Sequence, residues 1–343
     1  MSAIKFAVGY QLDDGEEDKF LEIAGDFRDQ IEEVYFPWLD MPSGRPAMTA
    51  QKGVVDWNGQ HKLEKDLIEI KRMGIKLNLL LNANCYGKYS LSMYLENLIC
   101  SLIAHIKELS GLDIVTTASL MAARIVKTNF KNIDVRASVN MRIGTIKAME
   151  YASPYFDSFY IQREYNRDFE RIKELKTWAD QHGKRLYILA NSGCLNFCPA
   201  QVFHDNIIAH DAEIKEMRNV DNWNPFLCWN YYKEKKNWVS FLQNSWIRPE
   251  DIGCYRDLFP VMKLATRTHA NPRKVIQAYC HRSFKGNLLD LLEPGHGPVF
   301  LGYAIDNTRF PKDWFEKVVT CGKQCHHCGY CLKVLKKILL KTD

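Results

Sequence analysis

Short β-branched or aromatic runs alternate with amphipathic helical stretches from the N-terminus onward. That alternation restricts the chain to parallel βα units rather than an all-β fold or a helix bundle. Runs at 5–10, 33–37, 76–82, 114–118, 135–140, 158–163, 185–191 and 261–266 read as strands. Helical patterns at 18–27, 61–73, 91–109, 119–128, 145–151, 168–182 and 272–282 separate or follow them. Gly74 and Gly183 each stand just before a strand, where a left-handed residue stops the preceding helix. The expected fold class is α/β, a closed (β/α)8 TIM-like barrel.

The seventh strand is followed by a long excursion, 192–252, far beyond an ordinary βα connection. It carries Cys194, Cys198 and Cys228 together with Trp223, Trp229, Tyr231, Tyr232, Trp238 and Trp246. Such aromatics shield a cluster, bind an aromatic ligand or simply plug the barrel mouth. The barrel domain is expected over 1–287 and a cysteine-rich appendage over 288–343. A Gly/Pro-punctuated linker at 288–298 joins them, and the appendage is expected to have the metal itself as its core.

With 46% apolar and 25% charged residues over 343 positions, the chain has the make-up of a packed globular protein. No stretch approaches the roughly 18 apolar residues needed to cross a bilayer, and no signal-peptide pattern opens the chain. A cytoplasmic location without a membrane span is the expectation. Eleven cysteines, clustered and without a leader, point to a reducing compartment, metal binding and oxygen sensitivity rather than to disulfides. The net charge of +5 is mild and interleaved, so nucleic acid is not an expected partner. Only the tail at 333–341 concentrates lysines, with apolar residues at helical spacing, as in an amphipathic helix beside the metal site.

The most specific motif is Cys321-x3-Cys325-x2-Cys328-x2-Cys331. Four thiols so close suit a structural zinc or an iron–sulfur cube. The first three match the spacing of radical S-adenosylmethionine enzymes. In those enzymes, however, the motif follows the first strand and leaves one iron free, whereas here a fourth cysteine closes a site beyond the last unit. Cys194, Cys198 and Cys228 form a looser second set that needs a fourth donor or leaves an iron open. Cys85, after strand three, is the first choice for that donor, with Cys254 and His204 as alternatives. Cys100 and Cys280 fall in helical patterns and read as packing residues.

In a barrel of this type the active site lies at the C-terminal strand ends. There the chain places Asn82, Asn84 and Cys85 after strand three, and Asn140 and Arg142 after strand five. Gln162-Arg163-Glu164 follows strand six, Asn191 to Cys194 strand seven, and Lys263-x3-Arg267 lies on strand eight. Each alone could be a helix cap or a surface ion pair. Together, cations and amides on one face suit a carboxylate-rich or phosphorylated small molecule.

At Asn191-Ser-Gly-Cys-Leu-Asn-Phe-Cys-Pro199, with Arg163-Glu164 and Lys263-x3-Arg267, the chain resembles the collagenase-like U-thirty-two peptidase family. The resemblance covers about 76–285 and is strongest at 185–204 and 244–282. It implies a barrel-like catalytic domain with Cys194, Cys198 and Cys228 holding a [4Fe-4S] cluster. It also implies Arg163, Glu164, Lys263 and Arg267 around the substrate as catalytic residues; apart from the resemblance, Asn82, Asn140, Arg142, Gln162 and His204 are the expected substrate-binding residues. Despite the family name, its better-understood members resemble oxygen-independent hydroxylases of tRNA, rRNA or the ubiquinone ring, with prephenate as a suggested oxygen source. The chain lacks the long basic C-terminal domain of the RNA-modifying branch, and its length is similar to the paired ubiquinone-hydroxylation proteins.

The leading expectation is therefore an oxidoreductase, a hydroxylase or related radical-type catalyst. It would carry two [4Fe-4S] clusters, the C-terminal one alternatively zinc, and act on a small-molecule or peptide-bound substrate. An electron-donor protein and a homo- or heterodimer with a related barrel are the expected partners. A catalytically silent cluster-binding subunit is the alternative. A peptidase is the weaker one, since neither G-x-S-x-G nor H-E-x-x-H occurs and no Cys/His pair outside the metal sets stands out.

Overall fold

The computed structural model describes residues 4–12, 19–41, 43–45, 48 and 55–342. Residue 18, the start of the first expected helix, lies outside them.

Eight parallel strands close into a barrel in chain order: β1 (Lys5–Gly9), β2 (Ile31–Phe36), β3 (Lys76–Leu81), β4 (Ile114–Thr117), β5 (Asp134–Ala137), β6 (Ser158–Tyr160), β7 (Arg185–Leu189) and β8 (Val261–Lys263). Closure is made by β1 against β8, with Lys5 opposite Val261 and Ala7 opposite Lys263. The expected (β/α)8 class is thus the observed one. Outside the sheet lie α1 (Phe20–Asp26), α2 (Trp57–Arg72), α3 (Met93–Leu109), α4 (Leu120–Asn129), α5 (Ile146–Ala152) and α6 (Phe169–Gln181). Side-chain caps start most of them: Asp56, Ser92, Ser119, Thr145 and Asp168 each accept from a backbone N–H in the first turn. Gly74 and Gly183 have φ of 82° and 63°, the left-handed stops their positions predict.

The lumen is polar at its floor. Arg136 is wholly buried, its Nη1 2.5 Å from Glu33 Oε1, its Nη2 3.3 Å from Asp134 and its Nε donating to Ser158. Asn78 bridges the Glu33 carboxylate to Thr116, donating to Glu33 Oε1 and accepting from the Thr116 hydroxyl. Above this layer, Tyr35, Leu80 and Ala7 face Val139, Tyr160, Tyr187, Leu189 and Ala265.

The excursion after β7 folds as α7 (Gln201–Ala209), α8 (Asp211–Met217), α9 (Leu227–Tyr232) and α10 (Val239–Gln243). Its aromatics divide: Tyr232, Trp238 and Trp246 are buried, while Trp223 and Tyr231 are exposed. α11 (Pro272–His281) completes the barrel, with Asn271 as its cap.

Two expectations about the C-terminal region need correction. The stretch at 288–298 is no loose linker, because Leu288, Leu289, Leu291 and Leu292 are buried in the main core. It also pins the end of β7: Asn191 donates to the carbonyls of Leu291 and Ala265, and Gly193 N–H to that of Glu293. A Cβ on Gly193 would meet the Pro294 carbonyl oxygen at 2.0 Å, so only glycine fits that approach. Nor is a metal the core of the appendage. Its elements are β9 (Tyr303–Ile305), α12 (Trp314–Val319), α13 (Tyr330–Ile338) and β10 (Leu339–Lys341), the last antiparallel to β9. Phe300, Ile305, Trp314, Val334, Leu335 and Ile338 belong to the same apolar core as the barrel. Trp314 stacks on Trp246 at 6.1 Å, and Arg167 lies over both rings. Burial of side chains of this size accounts for the docking, at about 1.5–3 kcal/mol for each large one. The amphipathic tail helix is present as α13, one turn earlier than the periodicity predicts.

Candidate active site

At the mouth a cavity of about 70 Å³ gathers Asn82, Asn140, Arg163, Lys263 and Arg267 from four different strand ends. Tyr35, Arg45 and Glu293 line it too.

Lys263 ends β8 with its Nζ 3.9 Å from the Tyr35 ring centroid and 5.3 Å from that of Tyr160. Burial, with Arg267, Arg136 and Arg45 nearby, outweighs the opposing Glu33 charge and pushes its ammonium down to about 7. Glu33 already serves Arg136. Arg267 follows on the loop beyond β8, where a Cβ on Gly9 would come within 2.7 Å of it, so the two segments meet only with glycine there. Its Nη1 donates to Ser43 Oγ at 2.8 Å, and its buried Nη2 has no partner among the described residues. Burial and the Arg45 charge both lower its proton affinity. Arg45 itself is 3.5 Å from Glu293. Buried Asn82 Oδ1 also lacks a partner among the described residues. Buried cations left this way are able to take up a small anion, whereas the open Asn82 Oδ1 calls for a hydrogen-bond donor.

Arg163 connects this cavity to thiols. Its Nη1 lies 3.2 Å from Cys194 Sγ. Burial opposes the guanidinium charge, but Cys194, Glu164 and Asp205 together hold it above its usual value. Cys228 is pushed up to about 12 by burial and then by Cys194 and Cys198. Cys198 is raised by burial and by Cys194. The three thiols are therefore electrostatic neighbours. Asn244 holds their loop, donating to Gly193 O and the Tyr232 hydroxyl and accepting from Asn196 N–H.

The C-terminal thiols form a second neighbourhood. Cys331 is pushed up to about 11 by burial, against which Arg167 acts, with Cys325, Cys321 and Cys328 adding to the rise. Cys321, Cys325 and Cys328 are exposed. A cavity of about 260 Å³ lies between the two neighbourhoods, lined by Glu164, Asn196 and Phe197 on one side and by Cys321, Cys325 and Cys331 on the other.

As placed, no three His, Cys, Asp or Glu side chains among the described residues form a group able to hold a metal ion. Donor type does fit a soft metal in both neighbourhoods. Thiols sit close together in each neighbourhood, one set beside Arg163 and the other beside Arg167, and thiolate ligation to a metal would relieve that crowding.

Other expected site residues fall elsewhere. Glu164 is buried, with Oε2 unpartnered among the described residues, and faces the 260 Å³ cavity rather than the anion seat. Gln162 packs at the Gly144 turn, its N–H donating to Ile143 O. Arg142 has a left-handed backbone and acts on Cys198 and Asp205 through charge. His204 packs on Phe226 at 4.8 Å, and burial with Arg45 and Arg163 pushes it down to about 4, so it is neutral. Cys85 is not gathered with Cys194, Cys198 and Cys228; its neighbours are His210, Gly87 and Ser90. Cys254 stands on a separate exposed turn beside Asp251. Tyr35, Arg45 and Glu293 were not legible as site residues. Alternation along β2 puts Tyr35 on the same face as Glu33 and could have flagged it, whereas Arg45 and Glu293 carry no local signal.

An eight-stranded barrel with a cationic mouth is an enzyme-type architecture, and comparison with known proteins narrows it. No family model matches the chain. An uncharacterized protease of Methanocaldococcus jannaschii is 26% identical over 281 residues, 81% of each chain. The solved structure of a U32 peptidase superposes with a TM-score of 0.52 at 13% identity, covering 77% of this chain and 92% of that one. The chain resembles the U32 peptidase family, as its strand ends led us to expect. No helix among the described residues is long and apolar enough to cross a membrane.

Proposed function

We propose that the chain is an enzyme that seats a small carboxylate-bearing substrate in the barrel mouth, next to an iron–sulfur cluster, and carries out oxidation–reduction chemistry on it. The observation that carries this reading is the set of buried cations Lys263, Arg267 and Arg163, with Arg45, in one small cavity that also touches Cys194 through Arg163. Cys194, Cys198 and Cys228 would hold a [4Fe-4S] cluster, and the Cys321–Cys331 set a second cluster or a zinc. A [4Fe-4S] group supplies one-electron transfer.

The chain's own residues bind and orient. Arg267 Nη2 and Asn82 Oδ1 offer a free donor and a free acceptor, and Lys263 supplies a charge and, at its lowered affinity, a transferable proton. Arg163 spans from the anion to the thiols. Exposure of Cys321, Cys325 and Cys328 leaves the outer set within reach of an electron-donor protein.

Anaerobic purification followed by iron and sulfide analysis, electron paramagnetic resonance and calorimetry with a small dicarboxylate tests the reading. Roughly eight irons per chain are expected for two cubes, and about four if the outer site holds zinc. Iron-free protein that still binds the dicarboxylate would remove the redox part, and no anion binding would remove the whole. Peptide hydrolysis is the second reading, favoured by the relatives being described as a protease and a peptidase, and turnover of a fluorogenic peptide by protein without iron would establish it over the first.

A further inference from the structure

Apart from the anion seat, the molecule has a cavity of about 590 Å³ between the loop after β3, the start of α3 and the α7–α8 junction. Its walls are largely apolar or aromatic, with Trp38, Tyr86, Tyr89, Tyr94, Leu95 and Leu98 among them, and its volume is that of a ligand pocket. Cys85, His210 and Glu213 stand together on its wall. The Cys85 thiol and the His210 imidazole are neighbours on that wall: a Cβ on Gly87, two residues beyond Cys85, would lie 3.4 Å from His210 Cε1. His210 Nδ1 lies 2.5 Å from Glu213 Oε2, and the Gly87 backbone N–H points at Cys85 Sγ from 3.3 Å.

We propose that Cys85 is a nucleophilic thiol, with His210 as its general base and acid and Glu213 as a positioning residue. It would form an acyl-thioester with substrates whose acyl group carries an aromatic or branched apolar side chain. The arrangement is a nucleophile, a base within reach and a third group orienting the base, which is the pattern of covalent acyl transfer. Burial is slight at Cys85, so the interactions with His210 and then with the Gly87 N–H lower its proton affinity, while Cys85 and Glu213 raise that of His210. Both shifts favour the thiolate–imidazolium pair.

The chemistry balances without a redox partner. Cys85 Sγ attacks the carbonyl carbon, the bond from that carbon to the leaving oxygen or nitrogen breaks, and His210 gives its proton to the leaving group. Water then attacks the thioester, His210 takes the water's proton, and the thiolate departs. Nothing here passes through the cationic mouth, so the proposal is independent of the anion and cluster reading.

The test uses the full chain with iodoacetamide at neutral pH, peptide mapping by mass spectrometry, and N-acetyl-phenylalanine p-nitrophenyl ester. Cys85 should be alkylated about tenfold faster than Cys100, which is half-buried on α3 and whose proton affinity is raised by burial and Glu96. His210→Gln should abolish that advantage. Glu213→Gln should reduce it and Glu213→Asp restore it, a rescue that a purely structural role would not show. Acid quench should trap the acetyl-phenylalanyl group on Cys85; Cys85→Ser should lose the adduct, and Arg267→Gln should keep it. Equal alkylation of Cys85 and Cys100, indifference to His210→Gln, or fast alkylation with no trapped acyl group would each overturn the proposal.

Discussion

The floor and the mouth of the barrel both bury cations, yet they solve the electrostatic problem in opposite ways. At the floor, Arg136 is surrounded by Glu33, Asp134 and Ser158, so its charge is matched inside the protein. At the mouth, Lys263 and Arg267 repel each other and Arg45, with donors and acceptors left open. A satisfied buried charge specifies structure, whereas an unsatisfied one in a cavity waits for a ligand.

The largest effect should follow from unbalancing the floor. Glu33→Gln would leave Arg136 buried beside a neutral partner, and breaking such a pair costs about 3–5 kcal/mol. Anaerobic denaturant titration should show this loss; a change near zero would mean that Asp134 alone balances the charge and would erase the contrast.

At the mouth, the same kind of change should act on binding instead. Arg267→Gln and Arg163→Gln should each weaken dicarboxylate binding by roughly 2–4 kcal/mol in calorimetry. Folding stability should move by under about 1 kcal/mol, and iron content should be unchanged. Loss of stability comparable to that of Glu33→Gln would make these arginines scaffold.

The pH dependence sharpens the comparison further. Lys263 is depressed to about 7 in the folded protein, below its unfolded value, so its buried charge destabilises fully below pH 7. That penalty fades as pH rises from about 7 toward 10.5, the ordinary lysine value. Lys263→Met should therefore be relatively more stable than the parent at pH 6 than at pH 9, measured by paired denaturant curves. Dicarboxylate affinity should run the other way, falling about tenfold per pH unit above 7 if the ammonium is required. A flat affinity profile would exclude Lys263 from the seat.

The smallest effect on the mouth should come from the outer thiols. Cys328→Ser is expected to lower metal content while leaving dicarboxylate affinity within about twofold. Cys194→Ala, by contrast, should remove part of the iron and all turnover. Equal losses from both would merge the two thiol neighbourhoods into one site.

Much of the frame was legible because it is written locally. Strand and helix periods, the capping residues Ser92, Ser119 and Thr145, and the stops at Gly74 and Gly183 act over a few residues, so the barrel could be read one unit at a time. Asn82, Asn140, Arg163, Lys263 and Arg267 were found by the rule that strand ends share a face. The pairing of Cys85 with His210 was not. It joins the loop after β3 to an insert beyond β7, and Cys85 looked like a ligand only because it was a cysteine at the mouth. The stretch at 288–298 was misread because glycine and proline signal a turn in any surroundings, and only packing shows whether leucines such as Leu288 and Leu291 are buried.

By itself, the sequence determined the eight-unit barrel, the two thiol groups and the cationic strand ends, since periodicity and spacing are properties of neighbouring residues. Only the tertiary structure decided which buried charges are paired. It turned Arg136 into scaffold, left Lys263 and Arg267 open, and brought Cys85, His210 and Glu213 to one wall. Those outcomes depend on distances between residues far apart in the chain, which folding sets and no local pattern records.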